Sequence, residues 1–157
     1  PVTEAEVLRI YAQKTAAAFE VAVQVGATAA GVGAETRALL SAFSQAVGTA
    51  YQIQDDIADF HSVRGRAADM LAMRPTLFLA AACTSEHPAV REALKAVWQG
   101  DAAGRERLID AITEAGLRTR VDLLYAHYKH ETTRVLSDIP HSGLKRLLRR
   151  IMKRMLR

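Results

Sequence analysis

The sequence contains 157 residues, of which 50% are apolar and 24% are charged, with four prolines and nine glycines. This composition is typical of one globular domain and excludes a disordered chain, a collagen-like fibre and a small disulfide-stabilised fold. The formal net charge of +4 is unevenly distributed, because seven basic and no acidic residues lie in 145–157, which leaves −3 for residues 1–144.

Helices are predicted along the whole chain, and no strand-like alternation is present. Thr3 followed by Glu6 forms a capping box that begins a helical run to about Ala30, where Gly31-Val32-Gly33 ends it. A second run covers about 34–60, and residues 61–74 are predicted to form a loop containing Gly65. Shorter helices are predicted at roughly 75–84, 88–99, 101–115, 117–137 and 141–157. With no repeat or linker, the sequence predicts an all-α helical bundle in a single domain, 1–157.

The lone Cys83 excludes an internal disulfide and fits a reducing compartment. No apolar run reaches the about 18 residues that a membrane span needs, and the first residues do not form a signal peptide. We therefore expect a cytoplasmic protein. The start at Pro1 rather than Met favours a longer parent chain.

Three carboxylates crowd the end of the second long helix, in the segment Tyr51-Gln52-Ile53-Gln54-Asp55-Asp56-Ile57-Ala58-Asp59-Phe60. Asp55 and Asp59 are i and i+4 neighbours on one helix face, and Asp56 lies one step round the helix. Burying them unpaired would be costly, whereas Mg²⁺ prefers oxygen ligands and commonly bridges carboxylates to substrate phosphates. The spacing therefore favours a Mg²⁺–diphosphate site, and a solvated acidic helix end is the alternative.

Cations flank this cluster in the sequence. Lys14-Thr15 lies upstream in a helix of small residues, and Arg64, Gly65-Arg66 and Arg74 follow the aspartates. Cations on a glycine-containing loop can bind and shield a diphosphate leaving group.

In four motifs of matching order and spacing the chain resembles the C-terminal half of the trans-isoprenyl diphosphate synthases, the polyprenyl synthetase family. The motifs are Lys14-Thr15, Gln52-x-x-Asp55-Asp56-x-x-Asp59-Phe60, Gly65-Arg66 and Arg74-x-Thr76-Leu77, and Leu136-Ser137-Asp138-Ile139-Pro140 is similar to the family's last helix–turn. The resemblance implies an all-α, isoprenoid-synthase-like fold and a dimer. It also implies a reaction in which an allylic diphosphate is ionised and alkylates isopentenyl diphosphate.

The resemblance also implies a role for each matching position. Asp55, Asp56 and Asp59 correspond to the second aspartate-rich motif, which holds Mg²⁺ on the allylic diphosphate. Lys14 and Gln52 match positions that contact this diphosphate and the reacting centre. The remaining substrate-binding positions are Thr15, which follows the lysine, and Arg66 and Arg74, where the family commonly carries lysine.

The family's first aspartate-rich motif, which belongs to its N-terminal half, has no counterpart in the sequence. The residues that seat isopentenyl diphosphate and set chain length are absent with it. We therefore expect residues 1–157 alone to be inactive in prenyl transfer, and a missing N-terminal half or a partner subunit to complete the site. Phe78 also stands where the family usually has proline. Two other interpretations stay open: a non-catalytic or regulatory half-length subunit of a heteromeric synthase, and a class I terpene cyclase.

The tail, residues 143–157, is predicted to form a basic amphipathic helix. Its apolar stripe comprises Leu144, Leu147, Leu148, Ile151, Met152 and Met155. This helix either packs on the body with a solvated basic face or lies at a membrane surface, which would make the protein peripheral. Nucleic-acid binding is disfavoured because no aromatic residues interleave the charges.

Overall fold

The computed structural model describes residues 2–61 and 67–156, and the described residues are helical with no strand. The all-α prediction is confirmed. The helices are α1 (Glu4–Tyr11), α2 (Ala17–Ala29), α3 (Ala34–His61), α4 (Ala68–Leu71), α5 (Leu77–Thr84), α6 (Pro88–Trp98), α7 (Ala102–Glu114), α8 (Leu117–Asp138) and α9 (Ser142–Met155). A π-helical turn, Ala12–Ala16, joins α1 to α2.

Both ends of the first helical run form as the sequence predicts. The Thr3 hydroxyl accepts a hydrogen bond from the Glu6 N–H (3.3 Å), and the Glu6 carboxylate accepts one from the Thr3 N–H (2.8 Å). At the other end Gly31 takes a φ of +65°, and the Val32 N–H reaches the Ala27 carbonyl at 2.9 Å. The capping box and the glycine stop are therefore confirmed.

The segment predicted as a loop, residues 61–74, contains a helix of one turn, α4, that the sequence did not indicate. A single turn is too short to produce a recognisable apolar period. Two residues with positive φ, Ala67 and Met73, flank this turn. The predicted cations Arg64 and Arg66, together with Gly65, lie outside the described residues.

Residues 1–8 and 55–124 form one compact unit, called unit 1 here. Its core contains fully buried side chains from α4 to α7, among them Met70, Phe78, Val90, Leu108 and Ile112. Helices α6 and α7 pack closely because Gly104 of α7 has no side chain: a Cβ there would lie 2.9 Å from the Ala96 Cβ. Asp101 caps α7 by accepting the Ala103 N–H at 2.9 Å.

Residues 9–54 and 125–157 form the second compact unit, unit 2. Its apolar core joins α3, α8 and α9 and includes Phe43, Val47, Leu136 and Leu148. The basic helix α9 packs on this core through Leu144, Leu148, Met152 and Met155. Its end is held by α3, where the Gln54 side-chain amide donates to the Met155 carbonyl at 3.0 Å. In the described part of the chain no helix is both long and apolar enough to cross a membrane.

Candidate functional site

A close crossing of two helices positions the predicted Lys14-Thr15 motif in unit 2. A Cβ on Gly48 of α3 would lie 2.5 Å from the Ala16 Cα and 2.8 Å from the Ala16 Cβ. Real Cβ atoms essentially never approach so closely, so only glycine permits the two backbones to meet here. The crossing sets the residues around Ala16 directly against α3.

The chain immediately before this crossing is a π-helical turn rather than an α-helix. Single π turns within α-helices occur frequently at functional sites. Here the turn carries Lys14 and Thr15, and the Thr15 hydroxyl donates to the Gln52 side-chain oxygen of α3 at 2.7 Å. Lys14 itself is exposed. The structure thus brings together Thr15 and Gln52, which the sequence placed 37 residues apart.

A polar ladder fixes the register of α2 on α3, and sequence reasoning missed it. The Glu20 carboxylate accepts hydrogen bonds from the Ser41 hydroxyl (2.5 Å) and the Gln45 amide (2.6 Å). These hydrogen bonds, led by that of Ser41, lower the pKa of Glu20 despite an opposing effect of burial. Farther along, the Gln24 side-chain amide donates a hydrogen bond to the Arg37 carbonyl (2.9 Å), and the Gln24 side-chain oxygen accepts one from the Arg37 guanidinium (3.1 Å). The only sequence signal was a set of polar residues at helical spacing inside apolar helices.

The three aspartates lie in the last turns of α3, within unit 1, and have different surroundings. Asp55 is exposed, Asp59 is half-buried and Asp56 is buried, with 7% of its surface exposed. The Asp59 carboxylate accepts the Asp69 N–H at 3.1 Å, at the start of α4. The Asp56 carboxylate accepts the Leu77 N–H at 2.8 Å, at the start of α5. Two of the carboxylates therefore also hold the backbone that follows α3.

Helix α5 begins where this carboxylate meets it. Thr76 is the N-cap, and its hydroxyl accepts the Leu79 N–H at 3.1 Å while Asp56 takes the Leu77 N–H. A negative charge at a helix N-terminus is favourable because unpaired N–H groups and the helix dipole point towards it. In the predicted motif, Thr76 is thus the N-cap of α5 and Leu77 is its first residue.

Arg74, predicted to bind diphosphate, lies in the turn before α5. Its guanidinium forms an ion pair with the Asp69 carboxylate at 2.6 Å, and its side chain is 69% exposed. Arg74 is therefore tied to the same short segment that Asp59 holds. Arg66 lies outside the described residues.

The three aspartates that the resemblance assigns to Mg²⁺ fit such a site in part. The described residues contain no group of three His, Cys, Asp or Glu side chains arranged to hold a metal ion. Mg²⁺ sites usually use one or two carboxylates and complete the shell with water and substrate phosphates, however. Asp55 and Asp59 share a face of α3 and match that pattern, whereas Asp56 engages the Leu77 N–H. The assignment of all three aspartates to metal stays a prediction.

Phe78, which stands where the resembled family usually has proline, has a packing role in unit 1. Its ring stacks on that of Phe60, with centroids 4.0 Å apart and planes 11° from parallel. Phe78 is 1% exposed and Phe60 is 7% exposed. The stack fixes α5 against the end of α3 directly beside the aspartates.

The family model for polyprenyl synthetase matches residues 1–115 of this chain. The chain is also similar in structure to a crystal structure of a polyprenyl synthase from Roseobacter denitrificans, with a TM-score of 0.86 and 23% sequence identity. That match covers 99% of this chain and 53% of the other, so the chain spans about half the length of the synthase. No curated protein matches. The predicted isoprenoid-synthase-like fold is confirmed.

Proposed function

Because the chain belongs to the polyprenyl synthetase family, we propose that it supplies the second aspartate-rich, diphosphate-binding half-site of a trans-prenyltransferase. The observation that carries this proposal is the face of α3 formed by Gln52, Asp55 and Asp59, at steps of three and four residues. Asp55 is exposed on this face, and Gln52 is oriented by the Thr15 hydroxyl at 2.7 Å. Such a face can present carboxylate and amide groups to a magnesium diphosphate.

Within this proposal each group has a distinct task. Asp55 and Asp59 would hold Mg²⁺, which would neutralise charge on the diphosphate as it leaves. Lys14, exposed on the π turn, would contact the diphosphate oxygens as a point charge. Arg74, and Arg66 by resemblance, would do so through a planar guanidinium fork. Asp56 would position this set by fixing α5 to α3.

The proposed reaction joins an allylic diphosphate to isopentenyl diphosphate. The C1–O bond of the allylic substrate breaks, and its electron pair departs with the diphosphate. The double bond of isopentenyl diphosphate then supplies the electron pair for the new carbon–carbon bond, and a proton leaves to restore a double bond. The cations of this chain stabilise the departing charge, and apolar helices must keep water from the carbocation.

We propose that this half-site works only with a second half that carries its own diphosphate-binding carboxylates. The chain spans 53% of the similar polyprenyl synthase, and no second aspartate-rich helix is present in the sequence. The complement would come from further chain or from a partner subunit, in a homo- or heterodimer. On this account residues 1–157 alone bind a magnesium diphosphate but do not transfer a prenyl group.

Titration calorimetry with a non-hydrolysable allylic thiolodiphosphate tests the half-site. We expect binding that requires Mg²⁺ and weakens about tenfold or more in Asp55→Ala, since a charge-assisted metal contact is lost. The matched control is Asp110→Ala, an exposed carboxylate on α7 of the same unit, which should bind like wild type. Binding that ignores Mg²⁺ and Asp55 would overturn the assignment.

A second candidate is a non-catalytic subunit that regulates a complete partner synthase. It is favoured by the half-length match and by the use of Asp56 and Asp59 as acceptors for backbone N–H groups. In that case Asp55→Ala would leave the activity of the complex unchanged, while removal of the whole chain would change its rate or product length. A cyclic hydrocarbon formed without isopentenyl units would instead indicate a terpene cyclase.

A further inference from the structure

Unit 2 carries an open apolar groove of about 590 Å³. Helix α2, the start of α3 and helix α9 contribute its walls, through residues that include Ala22, Gly26, Leu40, Leu144, Leu147 and Ile151. Among the lining residues only Thr36 and His141 are polar. The proposed prenyl transfer assigns no role to this groove.

Large apolar side chains at the groove remain in contact with solvent. Leu147 and Ile151 of α9 line it and are 52% and 38% exposed, respectively. Exposed apolar patches that border a cavity indicate an interaction surface rather than a solvated face.

Positive charge borders the same surface. Arg150 and Arg154 follow Leu147 and Ile151 by three residues each on α9, so helical spacing places them on the outer edge of the groove. Both arginines are exposed, as is Arg146. Helix α9 carries six basic residues and no acidic one. On the α3 side, Glu35 precedes the lining residue Thr36 and is the acidic residue in the first turn of that helix.

We propose that the groove and the arginine edge of α9 bind the surface of an anionic lipid bilayer. Leu147 and Ile151 would enter the boundary between head groups and acyl chains, and Arg146, Arg150 and Arg154 would contact the anionic head groups. This combination of an apolar stripe and a basic edge is that of an interfacial amphipathic helix. The inference rests on unit 2 alone and does not depend on the proposed prenyl transfer.

Charge and composition favour a lipid surface over other occupants. A second copy of the chain would bring two helices of six positive charges together, and that repulsion opposes self-association through α9. A nucleic acid could pair its phosphates with the arginines but would leave the apolar groove uncovered, because the groove residues include no Phe, Tyr or Trp on which a base could stack. An anionic bilayer satisfies both the positive edge and the exposed apolar side chains.

Vesicle co-sedimentation tests the proposal. The sample is the full-length natural protein, purified in the assembly that it forms. Phosphatidylcholine vesicles with about one third phosphatidylglycerol are compared with pure phosphatidylcholine, at low and at high salt. We expect binding to the anionic vesicles that falls as salt rises, and at least about tenfold weaker binding to the neutral ones.

Two double variants separate the apolar and the basic contributions. Leu147→Ser with Ile151→Ser should weaken anionic-vesicle binding about tenfold, and Arg150→Ser with Arg154→Ser should do so while also reducing the salt dependence. The control combines Arg91→Ser and Leu123→Ser, which removes one exposed cation and one exposed leucine from unit 1 and should bind like wild type. All substituted side chains are exposed or line the open groove, and circular dichroism confirms the fold.

Three results would overturn the proposal. The first is equal binding to neutral and anionic vesicles, or none to either. The second is unchanged vesicle binding in both double variants. The third is a smaller particle mass by light scattering for either α9 double variant than for wild type, which would identify the groove as a protein interface.

Discussion

At the scale of single residues, the three aspartates of α3 differ in what surrounds them. Asp55 faces solvent, Asp59 receives the Asp69 N–H and Asp56 is buried against the Leu77 N–H. Their spacing on a helix could be read from the sequence. The backbone groups that Asp56 and Asp59 satisfy could not, because they come from segments 10 and 21 residues later whose return to α3 depends on tertiary packing.

This difference predicts opposite stability effects for two neighbouring substitutions. Asp56→Ala would leave the buried Leu77 N–H without its acceptor at the start of α5, and we expect it to lower the free energy of unfolding by about 2 kcal/mol. Asp55→Ala changes an exposed side chain and should alter it by no more than about 0.5 kcal/mol. Urea unfolding measures both, and equal effects would contradict a capping role for Asp56.

The hydrogen bonds of Glu20 predict how the stability of the fold depends on pH. Hydrogen bonds from Ser41 and Gln45 lower its pKa in the folded protein, so the ionised carboxylate stabilises the fold above the pKa of the unfolded chain. This contribution is lost as the pH falls through the lower, folded pKa. Wild type should therefore have a higher free energy of unfolding than Glu20→Gln at about pH 7, and this difference should shrink towards about pH 3.

The control for this titration is Glu86→Gln, at an exposed position before α6. Its difference from wild type should stay near zero across the same range. A Glu20→Gln difference that grows on acidification would contradict the assigned hydrogen bonds.

At the scale of elements, the ends of most helices follow from local sequence signals. The Thr3–Glu6 capping box, Gly31 and Asp101 mark helix boundaries because each satisfies backbone groups that a helix end leaves unpaired. The π turn at Ala12–Ala16 could not be predicted, since its residues are ordinary helix formers and the turn arises where α2 meets α3. Gly48, a glycine inside a long helix, was the signal that could have revealed this contact.

The crossing predicts a contrast between two glycines within helices. Gly48→Ala would drive a Cβ into the Ala16 backbone, so we expect a loss of about 3 kcal/mol and weakening of the Thr15–Gln52 hydrogen bond. Gly26→Ala meets nothing within 4 Å and should instead stabilise α2 by about 0.5–1 kcal/mol. Thermal unfolding should show a large fall in Tm for the first and a small rise for the second. A Gly48→Ala protein as stable as wild type would refute the close approach.

At the scale of the whole molecule, the sequence and the structure agree on half of a synthase fold. The match covers 99% of this chain but 53% of the similar polyprenyl synthase. The all-α class could be predicted because helix-forming segments cover most of the sequence, and the resemblance because four motifs match the family in order and spacing. The groove beside α9 could not, because the same apolar stripe that packs Leu148 into the core also leaves Leu147 exposed. Periodicity alone does not separate a core face from a surface face.

The central claim is that α3 of this chain provides one half of a prenyl-transfer site. The most direct measurement is Mg²⁺-dependent incorporation of labelled isopentenyl diphosphate by the chain in the complex it forms in its source cells, with wild type compared to Asp55→Ala. We predict turnover that requires the complex and falls about 100-fold in Asp55→Ala, with assembly unchanged. An unchanged rate in an intact Asp55→Ala complex would contradict the account.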